Sequence, residues 1–310
     1  MTGFGIAPRR PVGRLLGALL AVLLLGGCDT SVTVLNPDPD YQFSLFGTLQ
    51  VTADTQVVRV EPLGDSTQVG APASLNARIV LKNLDTGTQV ALRDSFGTVG
   101  NVAPVHNAWT PHAIEPGTTY RVEVQVDGQA VTTATTTTPA QAPRLRHAPA
   151  ATRDRPFELP CRFSARGTPV ELANTFDLRV RGVDAVAAAE VRYPLPRPSA
   201  RPTWLDHYDR VEEESEENRF RVSVFYADDL LFLTRPNAGG GMNQCPDPNQ
   251  FTAPRAVVRV TAGGPDWPDW QGASLNALAR PDTFSNVIGG HGFVGGVYAD
   301  TIHIPIQGRE

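Results

Sequence analysis

The chain has 310 residues and a formal net charge of −5 at pH 7, with 27 lysines and arginines against 32 aspartates and glutamates. A mildly acidic chain lacks the basic surface that attracts a nucleic-acid backbone, so we expect no nucleic-acid partner. The length suits two domains. Abundant threonine, valine, glycine and proline, with few long helix-period patterns, predict a mostly-β fold.

The N-terminus has the pattern of a lipoprotein signal peptide. Arginines between Arg9 and Arg14 precede the apolar run Leu15–Leu25, and a Leu-Gly-Gly-Cys motif ends at Cys28. A cationic start, a short apolar core and small residues before a cleavage point define a secretory signal. The apolar run is shorter than the roughly 20 residues that a membrane-spanning helix needs. We therefore predict that residues 1–27 are removed.

Cys28 is the predicted lipid-bearing residue. The Leu-Gly-Gly-Cys motif resembles the bacterial lipobox, in which the cysteine is acylated and becomes the new N-terminus. More than one acyl chain makes such an anchor stable, because each buried methylene contributes roughly 0.8 kcal/mol. Residues 28–40 are polar and contain proline, which predicts an extended tether. The membrane, reached through this lipid anchor, is the first predicted partner.

Residues 41–139 are predicted to form an immunoglobulin-like β-sandwich. Pro116-Gly117 leads to Tyr120 and a strand at Arg121–Val126, and Asp127-Gly128 then gives a strong hairpin signal. This segment resembles the closing hairpin of fibronectin type III and immunoglobulin-like domains, where a proline-glycine turn leads into a strand with an inward tyrosine. A length of about 100 residues also suits such a domain. Alternating apolar residues predict further strands at Phe43–Leu49, Gln56–Glu61, Leu75–Leu81 and Gln89–Arg93.

A threonine- and proline-rich linker is predicted at 140–156, and a second, mostly-β domain at 157–310. Ala185–Tyr193 suits a strand or a short helix, and the Val191 and Tyr193 side chains favour the strand. Other alternating runs predict strands at Thr175–Arg181, Phe220–Tyr226, Ala256–Thr261 and Val297–Ile306.

Cys161 and Cys245 are the cysteines that remain once Cys28 carries lipid. Thiols outside the cytoplasm tend to pair, so we predict a disulfide between these two residues within the second domain. Neither cysteine lies in a Cys-x-x-Cys spacing, which argues against a zinc or redox site. Two free buried thiols are the alternative.

Three residues are candidate contacts for a ligand or a partner: Trp267, Trp270 and His291. The segment Asp266–Trp270 places two tryptophans in a short polar stretch, where their aromatic faces could stack on a sugar or a peptide. His291 is surrounded by glycines. The alternative is that one or both tryptophan rings fold back onto the core and that His291 packs in a turn at a sheet end.

No catalytic residue, metal site or cofactor is predicted. The glycine runs Gly239–Gly241 and Gly289–Gly292 lack the Gly-Lys-Ser/Thr of a phosphate loop, and they favour turns or close backbone approach. His106 and His112 lie in a predicted loop, at a spacing that fits no common metal motif. The acidic run Glu212–Glu217 lacks the spaced ligands and the glycine of a calcium loop, and predicts a solvated hairpin tip or loop. The chain also has no Gly-x-Ser-x-Gly nucleophile elbow.

Four short segments carry a resemblance to a known family: Cys28 before an opening strand, Phe46–Val60, Pro116–Tyr120 with a later Thr-Thr-Pro, and Ser285–Phe293. Through them the chain resembles the DUF4249 family of Gram-negative lipoproteins of unknown function. The resemblance implies an outer-membrane location beside a TonB-dependent transporter. Asp29 would direct retention in the inner membrane under a common sorting rule, whereas the family likeness points to the outer membrane, with the face left open. A long acidic insert near Glu212 departs from the family.

Together these observations predict a non-enzymatic accessory or binding lipoprotein. One alternative is a lipid-anchored hydrolase that acts on glycans or peptides, with its site near His291, the acidic residues or the tryptophans. A second alternative is a purely structural surface protein.

Overall fold

The computed structural model describes residues 42–63, 75–99, 103–126, 130–148, 157–158, 175–193, 204–214, 218–225, 229, 255–270, 273–274 and 283–307. Cys28, Cys161 and Cys245 lie outside these ranges, so the signal peptide, the lipid anchor and the disulfide stay predictions. Within the same ranges, no helix has both the length and the apolarity that crossing a membrane requires.

Strands make up nearly all of the regular structure in the described ranges, which confirms the mostly-β prediction. A single 3-10 turn is described, at Tyr208–Arg210. The strands are β1 (Phe43–Gln50), β2 (Gln56–Pro62), β3 (Arg78–Asn83), β4 (Gln89–Ala91), β5 (Arg93–Val99), β6 (Ala103–Thr110), β7 (Thr119–Gln125), β8 (Thr132–Thr137), β9 (Arg144–Ala148), β10 (Phe157–Glu158), β11 (Thr175–Arg181), β12 (Ala185–Arg192), β13 (Leu205–Asp206), β14 (Val211–Glu213), β15 (Arg219–Phe225), β16 (Arg255–Gly263), β17 (Val287–Ile288) and β18 (Gly290–Gln307).

Strands β1–β8 form the first sandwich. One layer has the order β5-β6-β2-β1, and the other has the order β4-β3-β7-β8. With the usual strand letters the layers read D-E-B-A and C′-C-F-G, which is the immunoglobulin-like arrangement predicted for this half of the chain. Because side chains alternate along a strand, one face of each layer is buried. The shared core contains Phe43, Leu45, Leu49, Val58, Val60, Ile79, Leu81, Tyr120, Val122 and Val124.

A buried tyrosine closes the corner between β6 and β7. The Tyr120 side chain is almost fully buried in the core of the first sandwich. Its hydroxyl accepts a hydrogen bond of 3.0 Å from the backbone N–H of Glu115. This is the tyrosine corner of immunoglobulin-like sandwiches, in which a tyrosine near the start of strand F bonds the backbone a few residues upstream. Burial raises the pKa of Tyr120 above its ordinary value of 10.0, although the Glu115 backbone hydrogen bond lowers it in part.

The second sandwich repeats the strand order of the first. Its layers are β14-β15-β11-β9 and β13-β12-β16-β18, which again read D-E-B-A and C′-C-F-G. Ala185–Arg192 is a strand, as the sequence favoured. The first strand, β9, lies inside the stretch 140–156 that was predicted to be a linker. The core contains Phe176, Leu178, Val180, Val191, Val222, Val224, Val258, Val260 and Ile304.

One long strand, β18, belongs to both sandwiches. Its first part, Gly290–Val297, runs parallel to β1, and its later part, Val297–Pro305, runs antiparallel to β16. Strand β18 joins the C′-C-F-G layer of the second sandwich to the D-E-B-A layer of the first. Together the two layers form one continuous sheet with the order β13-β12-β16-β18-β1-β2-β6-β5, which we call the shared sheet. The predicted domain limits at 139 and 157 stay a prediction. Strand β9 lies between these limits, and the start of β18, in the predicted second domain, pairs with β1 of the first sandwich.

Glycines allow β18 to approach β1. An ideal Cβ added to Gly290 would lie 2.0 Å from the carbonyl oxygen of Phe43, and one added to Gly292 would lie 2.1 Å from that of Leu45. Gly292 also has a φ of +115°, which side chains rarely tolerate. The glycines at 289–292 therefore permit close backbone approach, which is the role that the sequence favoured.

Candidate functional site

Aromatic and aliphatic side chains cross the outward face of the shared sheet. Strand alternation points Phe43 and Leu45 of β1 into the core, and it points Phe46 outward. Phe46 pairs in register with Phe293 of β18, and Val57 of β2 pairs with Trp109 of β6. We call this surface the aromatic strip and define it as Phe46, Val57, Trp109, Trp267, Trp270 and Phe293.

Two members of the aromatic strip are unusually open to solvent. Phe46 is 50% exposed and Val57 is 44% exposed, whereas Phe293, Trp109 and both loop tryptophans are partly buried. Large exposed apolar side chains that neighbour each other on a sheet face mark an interaction surface more often than single, scattered ones do. The centre of the strip is therefore the part that a ligand or a partner can reach.

Trp267 is held on the sheet by a gap in the side-chain layer. An ideal Cβ at Gly263 or at Gly295 would come within 2.4 Å of the indole ring, so these two glycines make room for it. The ring meets Phe293 edge-on, at a centroid distance of 5.3 Å and an interplanar angle of 87°. The indole Nε1 is buried and has no hydrogen-bond partner among the described residues. The Trp267 ring thus has a fixed position on the sheet and forms an aromatic wall at one end of the strip.

Trp270 completes the wall beside Trp267. Its ring lies 4.4 Å from the ring of Phe284 and 5.9 Å from that of Phe293, in the second case edge-on at 89°. Neither tryptophan is part of the two sandwich cores. Both rings therefore pack on the outward sheet face and not in a core, where the alternative interpretation would have put them. A role in ligand contact stays a prediction.

His291 lies on the same outward face. It pairs in register with Ser44 of β1, and it stands two residues before Phe293 on β18. Residues two apart in a strand share a face at a separation of roughly 7 Å. The structure thus brings Trp267, Trp270 and His291 to one surface, with Phe293 as the residue that links them.

Sequence reasoning missed Phe46, Val57 and Phe293 as surface residues. A signal was present, because Phe46 stands out of phase with the buried Phe43 and Leu45 in a strand that otherwise alternates. Val57 interrupts the alternation of β2 in the same way, between the buried Gln56 and Val58. An apolar residue on the polar phase of a strand indicates a contact surface, provided that the facing strands are known.

The Ser285–Phe293 segment has a clear structural role. The side-chain amide of Asn286 donates to the carbonyl oxygens of Thr135 at 3.1 Å and of Val294 at 2.8 Å, and its oxygen accepts from the Val294 N–H at 3.0 Å. Ser285 accepts a hydrogen bond from the N–H of Val287. Asn286 therefore covers the edge of β8 and fixes the start of β18 beneath the aromatic strip.

Each sandwich contains a histidine–aspartate pair whose histidine is buried. His106 is on strand β6, so its predicted position in a loop was wrong, because Ala103–Thr110 pairs with β2 and β5. Its Nδ1 lies 3.1 Å from both carboxyl oxygens of Asp94. In the second sandwich the Asp229 carboxyl lies 3.0 Å from His207 Nε2 and accepts a hydrogen bond of 2.7 Å from the Tyr193 hydroxyl.

The Tyr193–Asp229–His207 cluster is shielded from solvent. All three residues are less than a tenth exposed, at 6%, 7% and 3% respectively. Buried polar groups of this kind form hydrogen-bonded networks that fix a core. Among the described residues, no group of three or more histidines, cysteines, aspartates or glutamates is arranged to hold a metal ion.

Comparison with known proteins adds little to this geometry. No family model and no curated protein sequence matches the chain. A crystal structure of Dpr2 Ig1-Ig2 in complex with DIP-Theta Ig1-Ig3 is similar at 8% sequence identity and a TM-score of 0.21, over 86% of this chain and 95% of that chain. A TM-score of this size carries no argument. The immunoglobulin-like class of the protein instead rests on its strand order and on the Tyr120 corner.

Proposed function

We propose that the protein is a non-enzymatic binding lipoprotein, anchored by Cys28 in the outer membrane, whose contact surface is the aromatic strip. The observation that carries the proposal is the half-exposed Phe46, with Val57 diagonally across from it on β2, at the centre of a strip of rings on the shared sheet. Burying these side chains against the core would have been favourable, at roughly 25 cal/mol for each Å² of apolar surface. Their outward position therefore suits contact with another molecule.

The location part of the proposal rests on the sequence. The Leu-Gly-Gly-Cys motif at Cys28 supports lipidation, and the DUF4249 likeness supports an outer-membrane site beside a TonB-dependent transporter. Three of the four segments that carry this likeness lie close to the strip or to its support. Phe46–Val60 forms β1 and β2, Ser285–Phe293 leads into β18, and the Thr-Thr-Pro exit follows β8.

Changing the predicted lipid-bearing residue tests the anchor. We expect Cys28→Ser to abolish acylation and to release the protein from the membrane fraction, because no acyl chain would remain to hold it. Metabolic labelling with a fatty-acid analogue and membrane fractionation measure both effects. Unchanged processing and membrane association in Cys28→Ser would contradict the anchor.

A photo-crosslinking residue at position 46 tests the contact surface. We expect Phe46→benzoylphenylalanine to crosslink a membrane component in native membranes, since position 46 is half-exposed at the centre of the strip. The matched control is the same residue at Gln89, which is exposed on the opposite layer of the first sandwich. Mass spectrometry of the crosslinked products identifies the partner.

Two outcomes would contradict the binding proposal. The first is equal crosslinking from positions 46 and 89, which would show that the strip is not a specific surface. The second is turnover of a glycan or peptide panel that His291→Ala abolishes, which would favour the lipid-anchored hydrolase.

A further inference from the structure

We infer that the aromatic strip binds a neutral glycan chain that lies across the strands of the shared sheet. The inference rests on the proposed binding function and names the chemical class of the ligand. It uses the arrangement of Phe46 and Val57 between two fixed walls of rings, together with the charges along the strip.

The strip is a rigid platform with walls at both ends. Trp267 stands over Gly263 and Gly295 on one side, and Trp109 stands on β6 on the other side. Phe46 and Val57 occupy the two strands between them. Neighbouring strands are about 4.8 Å apart, so the span from β18 to β6 is roughly 14 Å. A platform built on paired strands loses little conformational freedom when an extended ligand binds.

The charged groups at the centre of the strip are matched within the protein. Arg59, which pairs in register with Phe46, forms an ion pair with Glu61 at 2.8 Å, and both charged side chains are on β2. At the β6 end, the Arg93 guanidinium lies over the Trp109 ring, 5.3 Å from its centroid, where the cation meets the negative face of the indole. A ligand with a net charge of either sign therefore gains little at the centre of the strip, where Phe46 and Val57 are exposed, and a neutral ligand suits it best.

The remaining outward side chains between the rings are neutral and polar. The exposed Thr48 shares the outward face of β1 with Phe46, and Asn107 shares that of β6 with Trp109. Ser44, on the same face of β1, is buried. Sugar hydroxyls can donate to and accept from hydroxyl and amide groups of this kind. The C–H face of a sugar ring packs on an aromatic ring, which is how apolar surface and a few placed polar groups combine in ligand sites.

The backbone groups of the strip are not available to form hydrogen bonds with a peptide. On β1, β2 and β6 its N–H and C=O groups lie within ladders that have a strand on both sides. Near Phe293, β18 pairs with β1 alone, but its other side is occupied: Asn286 bonds the N–H and C=O of Val294, and the Gly264 N–H bonds the C=O of Gly296. Peptide recognition by strand addition needs a free sheet edge, and the strip is in the interior of the sheet. A glycan needs no backbone partner, so it fits this surface better than an extended peptide does.

Titration with defined sugars tests the inference. The full-length lipoprotein in detergent micelles is titrated with cellohexaose, maltohexaose and mannohexaose as neutral probes and with hexagalacturonate as a charged probe. Calorimetry and tryptophan fluorescence report binding. We expect at least one neutral probe to bind, with an affinity that is the same at low and high salt because no charge pairing contributes.

Variants assign the binding to the strip. We expect Phe46→Ala to weaken the neutral probe about tenfold, the loss of one stacked ring, and Phe46→Trp to retain binding. The control is Ile288→Ala, since Ile288 is 74% exposed but lies on β17, outside the shared sheet. It should bind as the parent does. Circular dichroism checks that each variant is folded.

Three results would contradict the inference that the ligand is a neutral glycan. The first is that no neutral probe binds, and the second is that hexagalacturonate binds more tightly and in a salt-dependent way. The third is that sedimentation velocity shows a dimer that Phe46→Ala dissociates. If no neutral probe binds while the crosslinker at position 46 still captures a membrane protein, the glycan inference fails and the proposed binding function stands. If the crosslinker also captures nothing, both fail.

Discussion

The two sandwiches share a strand order but differ in what stands on the shared sheet. In the first sandwich, the outward face carries the aromatic strip. In the second, the same face carries the Arg259–Glu190 ion pair at 2.7 Å. There Trp204 is covered by two guanidinium groups, with Arg259 4.3 Å and Arg192 5.0 Å from its ring centroid. Since the topology is the same, the two halves differ in their outward side chains, and we propose that these side chains decide which half binds a ligand.

The cores differ as well. The first sandwich uses the Tyr120 hydroxyl to hold a backbone N–H, whereas the second uses the Tyr193 hydroxyl to hold the Asp229 carboxyl beside His207. Each tyrosine belongs to one sandwich, and its hydroxyl forms a hydrogen bond of the kind that stabilises a fold. The two halves can therefore be broken separately, and the outcomes compared.

The largest expected effect comes from β18, which the sandwiches share. We expect Gly292→Ala to destabilise the protein by about 3 kcal/mol, because its Cβ would strike the Leu45 carbonyl and its φ of +115° is strained for alanine. The control is Gly97→Ala on β5, where an added Cβ would meet nothing within 4 Å. Chemical denaturation measures both changes. In Gly292→Ala, hydrogen exchange should show that amide protection is lost in β1 before it is lost in β16. Equal stability of Gly292→Ala and Gly97→Ala would contradict the prediction.

An intermediate effect separates the two tyrosines. We expect Tyr193→Phe to cost about 2 kcal/mol, since a buried carboxyl would lose its donor, and Tyr120→Phe to cost about 1 kcal/mol, since a single backbone N–H would lose its acceptor. Denaturation midpoints of the two variants, each measured against the parent, give the comparison. A cost for Tyr120→Phe above that for Tyr193→Phe would reverse our ranking of the two networks.

The smallest effect appears only in alkaline solution. Burial raises the pKa of Tyr120 in the folded state above 10.0. A raised folded pKa means that this contribution to stability is complete below about pH 10 and is lost as the pH rises through the folded value. We expect Tyr120→Phe to flatten the fall in unfolding free energy above pH 10. A fall as steep as that of the parent would contradict the assignment to Tyr120.

Local patterns were enough to predict most strands of both sandwiches, because alternation and turns are encoded within ten residues. They were also enough to place Tyr120, whose Pro-Gly turn stands next to it. They failed where glycine or proline masks a strand. The glycines at 289–296 hid the first half of β18, and Pro104 contributed to the mistaken loop at His106.

The aromatic strip was only partly predictable for a different reason. Residue type was enough to single out Trp267, Trp270 and His291. The importance of Phe46 and Val57 depends instead on the pairing of β1 with β18, between residues near 46 and near 293. A parallel pairing over that sequence distance leaves no local pattern. The repeat of strand order in the second sandwich was hidden likewise, because it resides in connectivity and not in sequence similarity.

The pairing of Phe43 with Gly290 also sets the order in which the protein can finish folding. Ribosomes release a chain from its N-terminus, so β1–β8 emerge long before the strand that covers the open side of β1. Contacts between ends of a chain form slowly, because the loop between them must close first. Until then β1 is an uncovered edge, which is prone to pair with other chains. We therefore expect a chain truncated before residue 290 to aggregate, with the first sandwich formed but the edge of β1 unprotected.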